Sequence, residues 1–235
     1  MDGSVRSVIW YEGNMLIPGV ECFDSSVPMP LMKLPMRTII LDLIGARVMF
    51  SPGSKLTPLV LSQTGVLSDI VAPSLLHTAG MKAAASAHPQ ARLWGPRGCR
   101  DKHPDIKWHA VLGVDPWPYE DEVTMVPVLG MPRFNENVFL YKAGRALLVS
   151  DLVFNMNDSR GFGAWLMLSL FGTYRRLGVS KLYLKFVKDR PALQASLSQI
   201  AALDFDHLIP SHGHILMDTG RARFFEAVRE RGFQI

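Results

Sequence analysis

The stretch Ala146-Leu147-Leu148-Val149-Ser150-Asp151-Leu152-Val153-Phe154 decides how the chain is read, because an apolar run delivers a single carboxylate at its end. Leu147, Leu148 and Val149 are too continuous for a strand with one wet face, so they predict a strand buried on both faces. Asp151 then emerges where a core strand stops. A charge at such a place is costly unless a partner, a helix N-terminus or a metal compensates it, and α/β scaffolds commonly build sites from carboxylates at strand ends. The plain alternative is an aspartate that caps the turn into the next segment.

Upstream of this run, Val123 to Leu129 and Asn137 to Tyr141 read as strands, the second turning through Lys142-Ala143-Gly144 into it. Further back, Val5 to Tyr11 predicts a first strand, followed by an irregular connector through Pro18, Pro28, Pro30 and Pro35. Arg37 to Leu43 and Ala46 to Phe50 flank Gly45 as a hairpin. Thr57 before Pro58 is an N-cap followed by a first-turn proline, opening a short helix that Gly65 closes. Asp69 to Pro73 is a short strand, and His77 stands at its junction with an alanine-rich helix over Thr78 to Ala87. Ala91 to Trp94 is another strand, with a turn over Gly95 to Gly98 and a polar loop through Asp101 to Asp105.

Downstream, Phe162 to Phe171 is strongly apolar between Gly161 and Gly172. It is too short to span a bilayer. Core packing is the expected role, since exposed apolar patches are uncommon, with a lid or a dimer contact as alternatives. Asp189 and Pro191 open a helix whose Leu193, Leu197, Ile200 and Ala201 recur at helical spacing. Asp206 to Ile209 is a strand ending at Pro210-Ser211-His212-Gly213-His214, and Arg221 to Arg231 forms a final amphipathic helix with Phe224, Phe225 and Val228 inward.

At 235 residues, 48% hydrophobic and 20% charged, the chain can bury a substantial core, and it is read as one domain over 1–235. The formal charge is +4, but Lys and Arg are scattered and the basic signatures of RNA or DNA binding are missing. Arg97, Lys102, Arg133 and Arg160 are read as solvated surface before anion contacts. Cys22 and Cys99 form no Cys-x-x-Cys pair, so neither a disulfide framework nor a thiolate zinc site is indicated. A cytoplasmic location is expected. The N-terminal residues, with Asp2, Arg6 and Glu12, lack the apolar core of a signal peptide, and no uncharged run reaches the ~20 residues of a membrane span.

His77, Asp151 and His212 each follow a short apolar strand, and in a layered α/β protein such ends gather along one edge. Two imidazoles and one carboxylate suffice to hold zinc with an open position, or non-haem iron in a facial triad. Each histidine taken alone has an ordinary structural use.

The order of elements and the pieces DIVAPSLLHTAG, ALLVSDLVF and HLIPSHGHI resemble the metallo-β-lactamase fold superfamily from about Arg37 to His214. Phe134-Asn135-Glu136 and LLVSDLVFN resemble a poorly characterised branch of it. The resemblance implies a four-layer αββα sandwich with a metal site at one edge of its two sheets. Members carry H-x-H-x-D-H, then a later His, an Asp at a strand end and a final His in a P-x-H-G turn. Here the first motif reads Ala72-Pro73-Ser74-Leu75-Leu76-His77, and no histidine lies between His109 and His207. The three survivors correspond to one metal's coordination sphere, the second of the family's two, without its aspartate. Two functions follow. In the first, His77, Asp151 and His212 bind one ion, zinc or iron, that activates water to hydrolyse an ester, amide or phosphoester of a small molecule, with Ser74, His109, Glu136 or His214 orienting ligands or carrying protons. In the second, an inactive scaffold binds a small molecule or a protein partner; a homodimer fits either.

Overall fold

A computed structural model of the chain describes the backbone of Arg6–Ser7 and residues 17 to 235. The strand expected over Val5 to Tyr11 lies outside the described residues except at Arg6–Ser7. The chain divides into two compact units, one of residues 1–27 and 35–117, the other of 28–34 and 118–235.

Along the first unit run β1 (Arg6–Ser7), β2 (Val20–Pro28), β3 (Lys33–Leu43), β4 (Ala46–Phe50), α1 (Pro58–Gln63), β5 (Asp69–Val71), α2 (Met81–Ala87), β6 (Arg92–Gly95), α3 (Cys99–Lys102) and β7 (Ala110–Val111). Among the described residues the strands form one sheet in sequence order. Ile44-Gly45 joins β3 to β4 with Leu43 opposite Ala46, the expected hairpin. From β4 onward the pairing is parallel, so each crossover carries a helix. Ile40, Met49, Ile70 and Leu93 meet Val60, Leu61, Met81 and Ala84 of the helices in a single core. Thr57 accepts a hydrogen bond from the Val60 N–H and Pro58 starts α1, as the sequence predicts.

The second unit contains β8 (Val123–Pro127), β9 (Asn137–Tyr141), β10 (Ala146–Val149), β11 (Phe154–Asn155), α4 (Phe162–Phe171), β12 (Leu177–Gly178), α5 (Lys181–Leu184), α6 (Arg190–Ala201), β13 (His207–Pro210) and α7 (Gly220–Arg229). Its main sheet is ordered β13-β10-β9-β8, and β11 pairs with β12. All four residues of β10 are buried, which is why the run carries no polar alternation. Leu147 and Val149 lie in the same core as Leu193, Leu197 and Ile200 of α6 and Phe224 and Val228 of α7. Each such leucine contributes on the order of 2–3 kcal/mol relative to exposure. Asp189 caps α6 by accepting from the Ala192 N–H.

Several expectations are corrected. The helix expected from Thr78 begins only at Met81, after a turn in which the Met81 N–H reaches the Thr78 carbonyl. The polar loop from Asp101 contains part of α3, anchored by the buried Cys99. Phe225 is only partly buried, beside the inward Phe224. Most consequentially, α4 is not plain core packing. Ala164 and Leu168 are buried, whereas Phe162 is 74% and Leu170 67% exposed. A lone helix that is apolar all round can bury only the stripe facing its own unit, and no polar stripe in the sequence marks the other side.

Candidate metal centre

In the second unit, β10 and β13 are adjacent and parallel, with Val149 opposite Pro210. Parallel neighbours end at the same edge, so the residues that leave them leave together. The Ser211 N–H donates to the Val149 carbonyl, continuing the ladder one step. Asp151 and His212 therefore emerge side by side, both buried, with Oδ1 and Nε2 3.5 Å apart.

Two contacts fix His212. Its ring stacks on Phe154, with centroids 4.8 Å apart and planes 6° from parallel. Its carbonyl accepts from the Asn155 N–H, and the Asn155 carbonyl accepts in turn from the His214 N–H. Gly213 lies between them at φ 102°, and a Cβ there would stand 2.0 Å from the Asn155 oxygen. Only glycine permits this approach.

Asp151 is fixed through its backbone by a second carboxylate. Glu136, just before β9, is fully enclosed; Oε1 accepts from the N–H groups of Ser150, Asp151 and Leu152 at 2.8–3.2 Å, and Oε2 accepts from the Tyr183 hydroxyl at 2.9 Å. Burial is the largest influence on this carboxyl and the nearby Asp151 charge the next, and together they outweigh the four donors and push it up from 4.5 to about 7. The folded protein thus holds a proton that the unfolded chain has released between those values. Glu136's contribution is therefore intact at acid pH and is lost as pH rises from about 4.5 to about 7, by at most about 1.4 kcal/mol per pH unit. Thermal melts across that range should show a decline in the wild type that Glu136→Gln flattens; parallel profiles would contradict it.

In the first unit, β4 and β5 are parallel neighbours with Phe50 opposite Val71, so Ser51 and the segment from Ala72 to His77 leave at one edge. His77 is buried, its Nδ1 2.5 Å from the Ser51 Oγ. Ser51 sits at φ 55°, a conformation unusual outside glycine, with its N–H donating to the Val71 carbonyl and its own carbonyl accepting from the Thr38 hydroxyl. Ser74 shapes the turn that carries His77, because its Oγ accepts from the Leu76 N–H and its carbonyl from the His77 N–H.

His77 in the first unit, and Asp151 and His212 in the second, are thus each buried just past the end of a strand, and each offers one ligand atom. The positions that the two-metal motif fills with ligands are Ala72, Ser74 and Leu76, which supply no imidazole or carboxylate. Of the other residues singled out, His109 is exposed and its Nδ1 accepts from the Leu93 N–H, so it continues the pairing of β6 with β7 by one residue. His214 is half exposed with Nε2 2.8 Å from Asp158. Ser51 and Tyr183 are not among the residues expected at the site. A short-range cue exists only for Ser51, which ends an apolar strand as Ser150 does.

No family model matches the chain, and no curated protein sequence matches it. Solved structures do. The metal-soaked Flv1 flavodiiron core from Synechocystis sp. PCC6803 superposes with a TM-score of 0.64 at 12% identity, over 91% of this chain and 59% of that one. The present chain spans less than two thirds of that core's length. A metallo-β-lactamase from Pontibacter korlensis gives 0.63 at 10% identity, over 92% and 97%. The DIM-1 metallo-β-lactamase exposed to ceftazidime gives 0.61 at 13%, over 93% and 96%. The chain has the metallo-β-lactamase fold, the α/β sandwich class that the sequence resemblance implies.

Proposed function

We propose that the protein is a metal-dependent hydrolase of reduced type, in which His77, Asp151 and His212 hold one ion, zinc or iron. The observation that carries the reading is the buried pair Asp151 and His212, delivered 3.5 Å apart by parallel neighbouring strands. A buried carboxylate is costly without compensation, and two imidazoles with one carboxylate form a donor set that suits either metal and leaves positions open. When bound, the ion would lower the pKa of a coordinated water to about 7 and polarise an ester, amide or phosphoester.

The chain's own residues prepare that arrangement. In the tautomer whose Nδ1–H donates to Ser51, His77 would present the Nε2 lone pair as the ligand atom. Phe154 holds the His212 ring in its plane, and Glu136 holds the turn that presents Asp151. His214, paired with Asp158 at the surface, is the candidate proton carrier. Ala72, Ser74 and Leu76 support one ion rather than two. The same loss of ligands favours a second reading, a scaffold that binds a small molecule or protein partner without turnover.

The test is hydrolysis of a nitrophenyl ester, a nitroanilide and a nitrophenyl phosphodiester by protein loaded with zinc or, anaerobically, with ferrous iron. Turnover at least about a hundredfold above the metal-free protein and absent in Asp151→Asn is expected, a floor well below the roughly millionfold or greater acceleration typical of enzymes. Metal uptake without turnover of any of the three would remove the hydrolase and leave the scaffold.

A further inference from the structure

The apolar helix α4 has a face that its own unit does not cover. Ala164 and Leu168 are buried, while Phe162, Trp165 and Leu170 are 74%, 46% and 67% exposed. The rings of Phe162 and Trp165 meet at 5.4 Å, so the exposed aromatics form one surface. The 28–34 loop extends it. Gly163 lets the helix approach so closely that a Cβ there would fall 2.3 Å from the Leu31 carbonyl oxygen, and Leu31 itself is half exposed.

The sequence on both sides of α4 is basic between Asp158 and Asp189. From residue 159 to residue 188 the sequence contains Arg160, Arg175, Arg176, Lys181, Lys185 and Lys188 and no aspartate or glutamate. Arg160 is exposed just before the helix, at its N-terminal end. At the other end, Lys181 lies against Gly172, the C-cap, and Arg175 lies over the Tyr174 ring. Of the six, Arg176 is ion-paired, with Glu230.

We propose that this face of α4 seats the protein on an anionic lipid surface, with the helix lying in the plane of the interface. The exposed aromatic and aliphatic side chains can enter the acyl boundary, while Arg160 before the helix and Arg175 and Lys181 after it can meet anionic headgroups. No helix among the described residues is long and apolar enough to cross a membrane. A second copy is the poorer occupant, because an isologous contact would set like-charged rims against each other. Each basic side chain near an anionic leaflet adds about fivefold to binding, so the rim and the apolar face act together.

The experiment is sedimentation of the full chain with vesicles of equimolar phosphatidylglycerol and phosphatidylcholine, and with vesicles of phosphatidylcholine alone. The wild type should sediment with the anionic vesicles and be released by raised salt. Phe162→Ser with Trp165→Ser should lower partitioning at least about tenfold while circular dichroism stays native, since both positions are exposed. Lys181→Glu with Lys185→Glu, which leaves the apolar face intact, should weaken binding to anionic vesicles alone. Three outcomes overturn the proposal: no sedimentation with anionic vesicles, equal binding by all variants, or a dimer in solution that the serine variant converts to monomer.

Discussion

Glu136→Ala is expected to remove on the order of 3–5 kcal/mol of stability, a large part of what a domain possesses. The alanine leaves the N–H groups of Ser150, Asp151 and Leu152 and the hydroxyl of Tyr183 facing an enclosed gap. Each orphaned donor costs about 1–3 kcal/mol, and relief of the carboxyl's own burial offsets part of the sum. In a chain of this size the melting midpoint should fall by roughly 10 °C. Glu136→Gln keeps an acceptor for the backbone donors and should lose no more than about 1.5 kcal/mol. A Glu136→Ala midpoint within about 2 °C of wild type would show that the 150–152 turn holds itself.

The second large effect is on the metal. Asp151→Asn should weaken metal binding by more than the 10–100-fold typical of losing an outer hydrogen-bond partner, because it removes the anionic ligand itself. The fold should persist, since the Asp151 N–H still reaches Glu136. A second signature separates this from general damage. The Asp151 charge helps to raise the Glu136 carboxyl, so its removal should shift the pH-dependent loss of stability to lower pH and make it shallower. Wild-type metal affinity in this variant, or an unchanged pH profile, would separate Asp151 from the role assigned to it.

These two residues also show what can be read in a sequence. Leu147 to Val149 without alternation announces a doubly buried strand, and the aspartate at its end is visible as a charge out of place. His212 is visible in the same way, within a Pro-x-His-Gly turn whose glycine the close Asn155 contact requires. Glu136 is singled out only through the Phe134-Asn135-Glu136 resemblance, and no local pattern marks it as buried. It follows a polar turn, and its burial arises from Tyr183, 47 residues away, a long-range contact that no local pattern encodes. The partnership of Ser51 with His77 is hidden for the same reason, as it depends on β4 and β5 being parallel neighbours. The helix α4 is legible as a helix and not as a surface, because periodicity assigns an outward face only when polar residues mark it.

Metal content of protein purified without a histidine tag or chelator tests the central assignment most directly, measured on the wild type, His77→Ala and His212→Ala after exposure to zinc and to ferrous iron. About one equivalent per chain in the wild type, lost in both variants while their folds remain native, is the predicted result. No metal in the wild type, or the same metal in all three proteins, would contradict it.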